Sequence, residues 1–238
     1  MDKCTNIDTM VVQKIFAAAM DEYGIKNQDH VIITARESVY FTPRTWFLFK
    51  TFGHDPSKIH LMQGSLEQWI EIGGEVETEA VIVPTFQDLE LEEDYNYKVL
   101  EVPTNVCDME EVLGATTNND RKDSDTVFLL DSRGSSFAKG HIPGAIHLPY
   151  SNWVLPGNTL TWKSVDDLRG IFADAGVDPL TQNKIISSCG SGVSACHTLL
   201  ALELCGRDLR PPNKTKIYDG SWSEWSKNST TPKTGSNI

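Results

Sequence analysis

Short, mostly apolar runs recur along this chain, separated by stretches of about 10–15 residues with helical periodicity, the pattern of parallel βαβ units. In the second half it predicts strands over 126–130, 184–187 and 216–218, and helices over 164–175, 194–206 and 221–225. In the first half it predicts an opening helix over 7–23, and a short helix is expected near 108–113. Ser164, followed three positions later by Asp167, reads as a helix start, and Gly176 as the stop. Pro43 suits the opening of a helix, where its missing N–H has no partner to lose.

The pattern also repeats itself. Residues 30–35 parallel 183–189, with Ala35 opposite Cys189; 45–53 parallel 198–206; 58–65 parallel 216–221; and 64–69 parallel 220–225. Upstream, Ile15-Phe16-Ala17 matches Ile171-Phe172-Ala173, and Gly24 matches Gly176. Matches recurring in the same order imply a duplicated unit. The second copy carries an opening strand and the segment Gly140-His141-Ile142-Pro143-Gly144-Ala145, for which the first copy has no equivalent. The expected organisation is therefore an incomplete first module over 1–73, an acidic linker over 74–103, and a complete module over 104–238. Within the connecting region, 88–94 is acidic and 116–123 is polar.

Composition narrows the class. At 238 residues and 39% hydrophobic, the chain can build one large core or two modest ones. A net charge of -12 argues against nucleic acid or an anionic membrane as partner. No apolar run approaches the ~20 residues that a membrane-spanning helix needs. The five cysteines show neither CxxC nor Cys/His metal spacing, which fits free thiols in a reducing compartment and no bound metal. The sequence opens with no secretory signal pattern, and a cytoplasmic or mitochondrial location is expected.

The candidate chemistry lies in Ser188-Cys189-Gly190-Ser191-Gly192-Val193-Ser194-Ala195-Cys196, between a buried-strand pattern and a helical one. A cysteine there is expected to sit in a cup of backbone N–H groups at the positive end of a helix dipole, which favours a thiolate or a persulfide. Glycines permit the close backbone approach that several N–H donors need to face one sulfur. A cysteine phosphatase shares this design but requires Cys-x5-Arg, and here that arginine position holds Ala195.

Four segments together resemble tandem rhodanese sulfurtransferases: Asp131-Ser132-Arg133, the 140–145 segment, Cys189-Gly190-Ser191-Gly192-Val193-Ser194, and Tyr218-Asp219-Gly220-Ser221-Trp222-Ser223-Glu224-Trp225. Phe41-Thr42-Pro43-Arg44 and Phe52-Gly53-His54 extend the likeness into the first half. The resemblance implies an α/β fold of two rhodanese-like modules, with mainly parallel sheets flanked by helices, the first N-terminally truncated and catalytically silent. It also implies that the uncharged Cys-Gly-Ser-Gly loop takes 3-mercaptopyruvate rather than the dianionic thiosulfate.

On this reading Cys189 is the nucleophile that carries the persulfide. Ser191 hydrogen-bonds the sulfur or relays a proton. Arg133, ending a strand beside that of Cys189, holds the substrate carboxylate. Gly190, Gly192, Val193 and Ser194 shape the binding loop, and Ser194 is also expected to cap the following helix. His141 is read as packing its own turn, Trp222 and Trp225 as core, Arg44 as a solvated salt bridge, and Cys196 and Cys205 as helix-core thiols. The expected partners are a small sulfur donor and a thiol acceptor such as a thioredoxin or a small thiol, with no cofactor. The competing readings are a thiosulfate:cyanide sulfurtransferase and an inactive or regulatory sulfur-binding module.

Overall fold

The computed structural model describes residues 9–79, 94–99, 105–116, 126–210 and 214–236, with side chains from Val12 onward. Nearly all of the acidic 88–94 and polar 116–123 stretches lies outside the described residues, as does Cys4. The chain divides into two compact units: Met1–Thr34 with Thr45–Pro103, and Ala35–Arg44 with Thr104–Ile238. The loop over 35–44 thus groups with the second unit, a placement that chain order does not reveal.

The first unit contains α1 (Thr9–Glu22), most of β1 (Val31–Ala35), most of α2 (Thr42–Thr51), β2 (Ile59–Ser65) and α3 (Leu66–Glu71). Strands β1 and β2 pair in a two-stranded sheet. Phe16 packs on Phe49, Phe52 and Tyr97 with ring centroids 5.5, 4.6 and 5.7 Å away. Buried His54 bridges the Tyr97 hydroxyl at 2.9 Å and the Asp29 carbonyl oxygen at 3.0 Å. Ser65 and Gln68 form a reciprocal capping box at the start of α3.

The second unit runs β3 (Val106–Cys107), α4 (Met109–Thr116), β4 (Val127–Asp131), β5 (Ile146–His147), β6 (Val154–Leu155), β7 (Asn158–Trp162), α5 (Val165–Asp174), β8 (Lys184–Ser188), α6 (Ala195–Leu204), β9 (Thr215–Tyr218) and α7 (Ser221–Trp225). Its main sheet has the order β3-β9-β8-β4-β5, with every neighbouring pair parallel. The β8, α6, β9, α7 sequence of elements recurs in the first unit as β1, α2, β2, α3.

Local signals account for the predicted elements. The Ser164 hydroxyl accepts the Asp167 N–H at the start of α5, and Gly176 follows its end at φ 71°. Helix α6 is buried from Ala195 through Leu202, so it is apolar on every side and packs on β8, β9 and the 3-10 turn Tyr150–Trp153. On one side of the sheet, Cys107, Val112, Leu129, Ile142, Ile186, Tyr218 and Trp225 form the core. The β6–β7 hairpin was not expected from the alternation; only its Pro156-Gly157 turn advertises it.

Candidate active site at the Cys189 loop

Central strand β8 ends at Ser188, so Cys189 leaves the sheet at its carboxyl edge, where parallel α/β sheets bind ligands. Two neighbouring turns hold the loop that follows. The Trp222 and Ser223 amides donate to the Cys189 and Gly190 carbonyl oxygens at 3.0 and 2.9 Å. The Ser223 hydroxyl also donates to the Gly190 carbonyl, at 2.6 Å. With these carbonyls pinned on the α7 side, the peptide dipoles of the loop are fixed in direction.

Ser221 completes the anchor. Its Oγ accepts the Cys189 N–H at 3.0 Å and the Gly192 N–H at 3.2 Å, and donates to the Tyr218 carbonyl oxygen at 2.7 Å. It is fully buried and, at φ 51°, is the non-glycine residue with positive φ among the described residues. Such strain is concentrated where surrounding structure demands a particular backbone path. Two of the amides expected to face the sulfur are therefore already occupied by a serine oxygen. Among the described residues, the amides of Gly190, Ser191, Val193 and Ser194 donate to no protein acceptor. They remain the donors that an anionic sulfur can use.

Gly192 sits at φ 80°, and a Cβ there would lie 2.2 Å from Asp219 Oδ1, so only glycine fits. Arg44 holds both oxygens of that Asp219 carboxylate. The salt bridge expected of Arg44 is present, half-buried, and it fixes the carboxylate that lies against Gly192.

Cys189 is 1% exposed and lines a cavity of about 220 Å³. Tyr40, Arg133, Tyr150, Gly190, Ser191 and Ser194 share its wall, with Gly134 and Ser136 at the side. The Arg133 guanidinium does not stand free there. Its Nε donates to Asp131 Oδ1 and Oδ2 at 3.0 and 3.1 Å, and its Nη2 to Asp131 Oδ2 at 2.7 Å and the Gly140 carbonyl oxygen at 2.9 Å. Trp222 lies 4.9 Å from its central carbon. This buried ion pair leaves the arginine's charge largely compensated, and only Nη1 has no acceptor among the described residues.

Beside the cavity is an aromatic cluster. Tyr40 and Tyr150 meet edge to face at 4.9 Å, and His197 lies 5.8 Å from Tyr40, 5.3 Å from Tyr150 and 5.7 Å from Trp162. Burial pushes His197 down to about 4, against the backbone of Ser194, so the imidazole is neutral at physiological pH. Among the described residues, neither of its ring nitrogens has a hydrogen-bond partner. Burial raises the Tyr40 phenol above its usual value; a hydrogen bond with Ser194 opposes this, and the charges of Cys189 and Tyr150 add to it.

The residues expected to act thus separate. Cys189, Gly190, Ser191, Ser194 and Arg133 line one cavity. Gly192 and Val193 do not appear in its wall; the first is tied to Ser221, and the Val193 carbonyl accepts the Cys196 N–H. The capping role expected of Ser194 is overturned. It has helical φ and ψ of -72° and -16°, not the extended backbone of a capping residue, and makes no side-chain cap. Trp225 is core, whereas Trp222 is only partly buried and stacks on Arg133. His141 stacks on Phe137 at 3.8 Å and bonds its carbonyl at 3.0 Å, packing its own turn. Burial pushes Cys196 up to about 12 despite Arg44, and burial also raises Cys205, so both are inert core thiols.

Sequence reasoning passed over Tyr40, Tyr150, Asp131 and Ser221. Asp131 and Ser221 stand inside quoted motifs, which was the available signal. Nothing in local pattern points to the tyrosines.

A parallel sheet with a buried cysteine opening a glycine-bearing loop at its central strand defines an α/β protein of the rhodanese class. Residues 115–228 match the Rhodanese-like domain family. The chain is 33% identical over 222 residues to the 3-mercaptopyruvate sulfurtransferase of Escherichia coli, covering 88% of this chain and 69% of the relative. It is 30% identical over 218 residues to the thiosulfate sulfurtransferase of Cricetulus griseus, covering 88% and 67%. Among solved structures, the 3-mercaptopyruvate sulfurtransferase SseA of Escherichia coli superposes with a TM-score of 0.67 at 31% identity, over 89% of this chain and 74% of that one. The chain belongs to the rhodanese family of sulfurtransferases.

Proposed function

We propose that this chain moves sulfur from 3-mercaptopyruvate to a thiol acceptor through a persulfide on Cys189. The Cys189 thiolate attacks the donor sulfur; the new S–S bond forms as the carbon–sulfur bond breaks and its electron pair leaves on carbon. The carbon takes up the proton given up by the donor thiol, releasing pyruvate and leaving the anionic persulfide. A second thiol, from a thioredoxin or a small molecule, then attacks the outer sulfur and restores Cys189.

One observation carries this reading: Cys189 lines a small cavity while carbonyl oxygens beside it are pinned away by Trp222 and Ser223. That arrangement leaves loop amides for an anionic sulfur, as an oxyanion hole does for oxygen. Ser191 serves as a hydrogen-bonding hydroxyl at the cavity wall, and Arg133 contributes its remaining edge to the substrate carboxylate. Gly190, Gly192, Val193 and Ser194 set the loop's path.

Thiosulfate is the second reading, favoured by the likeness to the Cricetulus griseus enzyme. A loop without cations, beside an arginine already neutralised by Asp131, suits a monocarboxylate better than a dianion. The first half of the chain, with Ala35 buried where the repeat aligns Cys189, is a silent rhodanese-like copy. The test is incubation with 3-mercaptopyruvate and dithiothreitol, assayed for pyruvate and sulfide, with intact-mass spectrometry for one added sulfur on a parallel sample treated with the donor alone. Wild type should gain that mass on Cys189 and Cys189→Ser should not; equal background rates for both overturn the reading.

A further inference from the structure

When carbon–sulfur cleavage sends an electron pair onto the carbon beside a keto group, the charge spreads to the keto oxygen as an enolate. That oxygen needs a hydrogen-bond donor as the bond breaks. A sulfite leaving group, already carrying its charge on three oxygens, makes no such demand. The two donor classes therefore separate the residues that serve the sulfur from those that serve the carbon fragment.

The candidate donors at the cavity can be sorted by prior commitments. The Nε and Nη2 of Arg133 are taken by Asp131 and the Gly140 carbonyl. The loop amides are assigned to the sulfur on the reading above, and Tyr40 hydrogen-bonds Ser194. Tyr150 lines the same cavity as Cys189, and among the described residues its hydroxyl meets no protein partner. Its position is fixed: its amide donates to the Ser132 carbonyl oxygen at 3.0 Å, its ring abuts Tyr40 at 4.9 Å, and the neutral His197 backs it at 5.3 Å. Through Ser132, the Tyr150 backbone is tied to the exit of β4, the strand beside β8, where the Ser132 amide bonds the Ser188 carbonyl at 2.9 Å.

We propose that the Tyr150 hydroxyl is a catalytic hydrogen-bond donor to the keto oxygen of the leaving pyruvate enolate, making the site selective for α-keto thiol donors over thiosulfate. This rests on the mercaptopyruvate reading. In balanced form, the Cys189 thiolate and the donor's neutral thiol give the anionic Cys189 persulfide and pyruvate. The donor's S–H proton ends on the methyl carbon, and no redox partner is consumed. Tyr150 keeps its own proton throughout.

The experiment compares wild type with Tyr150→Phe, which retains the ring and its packing, on two donors. Pyruvate release from 3-mercaptopyruvate should fall about 100- to 1000-fold in kcat, as for loss of one donor to an oxyanion. Persulfide formation from thiosulfate, followed by intact mass, should stay within about twofold and shows that the variant is folded. Oxalate, a planar mimic of the enolate, should inhibit wild type about tenfold more tightly than the variant, a loss of about 1.4 kcal/mol. An unchanged mercaptopyruvate rate overturns the Tyr150 proposal while leaving the Cys189 reading intact, and so does an equal loss on both donors. A wild-type protein that gains no sulfur from mercaptopyruvate overturns both.

Discussion

Ser221→Ala removes one oxygen that serves three backbone groups. In the native protein Ser221 Oγ accepts the Cys189 and Gly192 amides at 3.0 and 3.2 Å and donates to the Tyr218 carbonyl. The site is fully buried. Leaving a buried N–H without an acceptor costs about 1–3 kcal/mol, so two of them predict a loss of about 2–6 kcal/mol. Ser221→Gly makes the same deletion but relieves the φ of 51°, and should recover about 1 kcal/mol relative to alanine. Urea unfolding measures the sum, but a chain of two compact units need not unfold in one step. Hydrogen exchange at the Cys189 and Gly192 amides is the direct assay. Both should lose protection in either variant, with persulfide formation falling in parallel. If Ser221→Ala changes stability by less than about 0.5 kcal/mol and leaves both amides protected, the loop does not hang on this hydroxyl.

Other outcomes follow from the same geometry. His197 is held down to about 4 by burial, so between its unfolded value of about 6.5 and about 4 the unfolded chain binds the extra proton. Stability should then fall by roughly 3 kcal/mol as pH drops through that window, and His197→Phe should flatten the profile; an unchanged slope refutes the assignment. Gly192→Ala places a Cβ against Asp219 and forces alanine to φ 80°, so persulfide formation should collapse while far-ultraviolet circular dichroism is kept. Asp131→Ala strands the Arg133 guanidinium at 7% exposure and should cost about 3–5 kcal/mol in a denaturation titration, well beyond a surface pair.

Strands β4, β8 and β9 and helices α5, α6 and α7 were legible because each is announced by local periodicity and a local stop. Helix α5 shows this best, with Ser164 and Gly176 at its two ends as expected. Strands β3 and β5 are two residues each, too short for periodicity to register. The Ser194 expectation failed for a related reason. Residue type and position favoured a cap, but the loop brings Ser194 in with helical backbone angles, from which its hydroxyl makes no cap.

The amino-acid order alone marked the candidate cysteine loop, because a cysteine between a strand pattern and a helix pattern, with glycines behind it, is defined by neighbours along the chain. It also determined the α/β alternation, through side-chain periods that are local properties of the backbone. Only the tertiary structure decided what surrounds that sulfur. Tyr40 and Arg44, Asp131, Tyr150 and Ser221 come from four separate segments, and their meeting depends on which strands pair and in what order. Hydrogen bonds are satisfied by proximity in space, so the fate of Arg133 and of the loop amides was settled by folding and not by spacing.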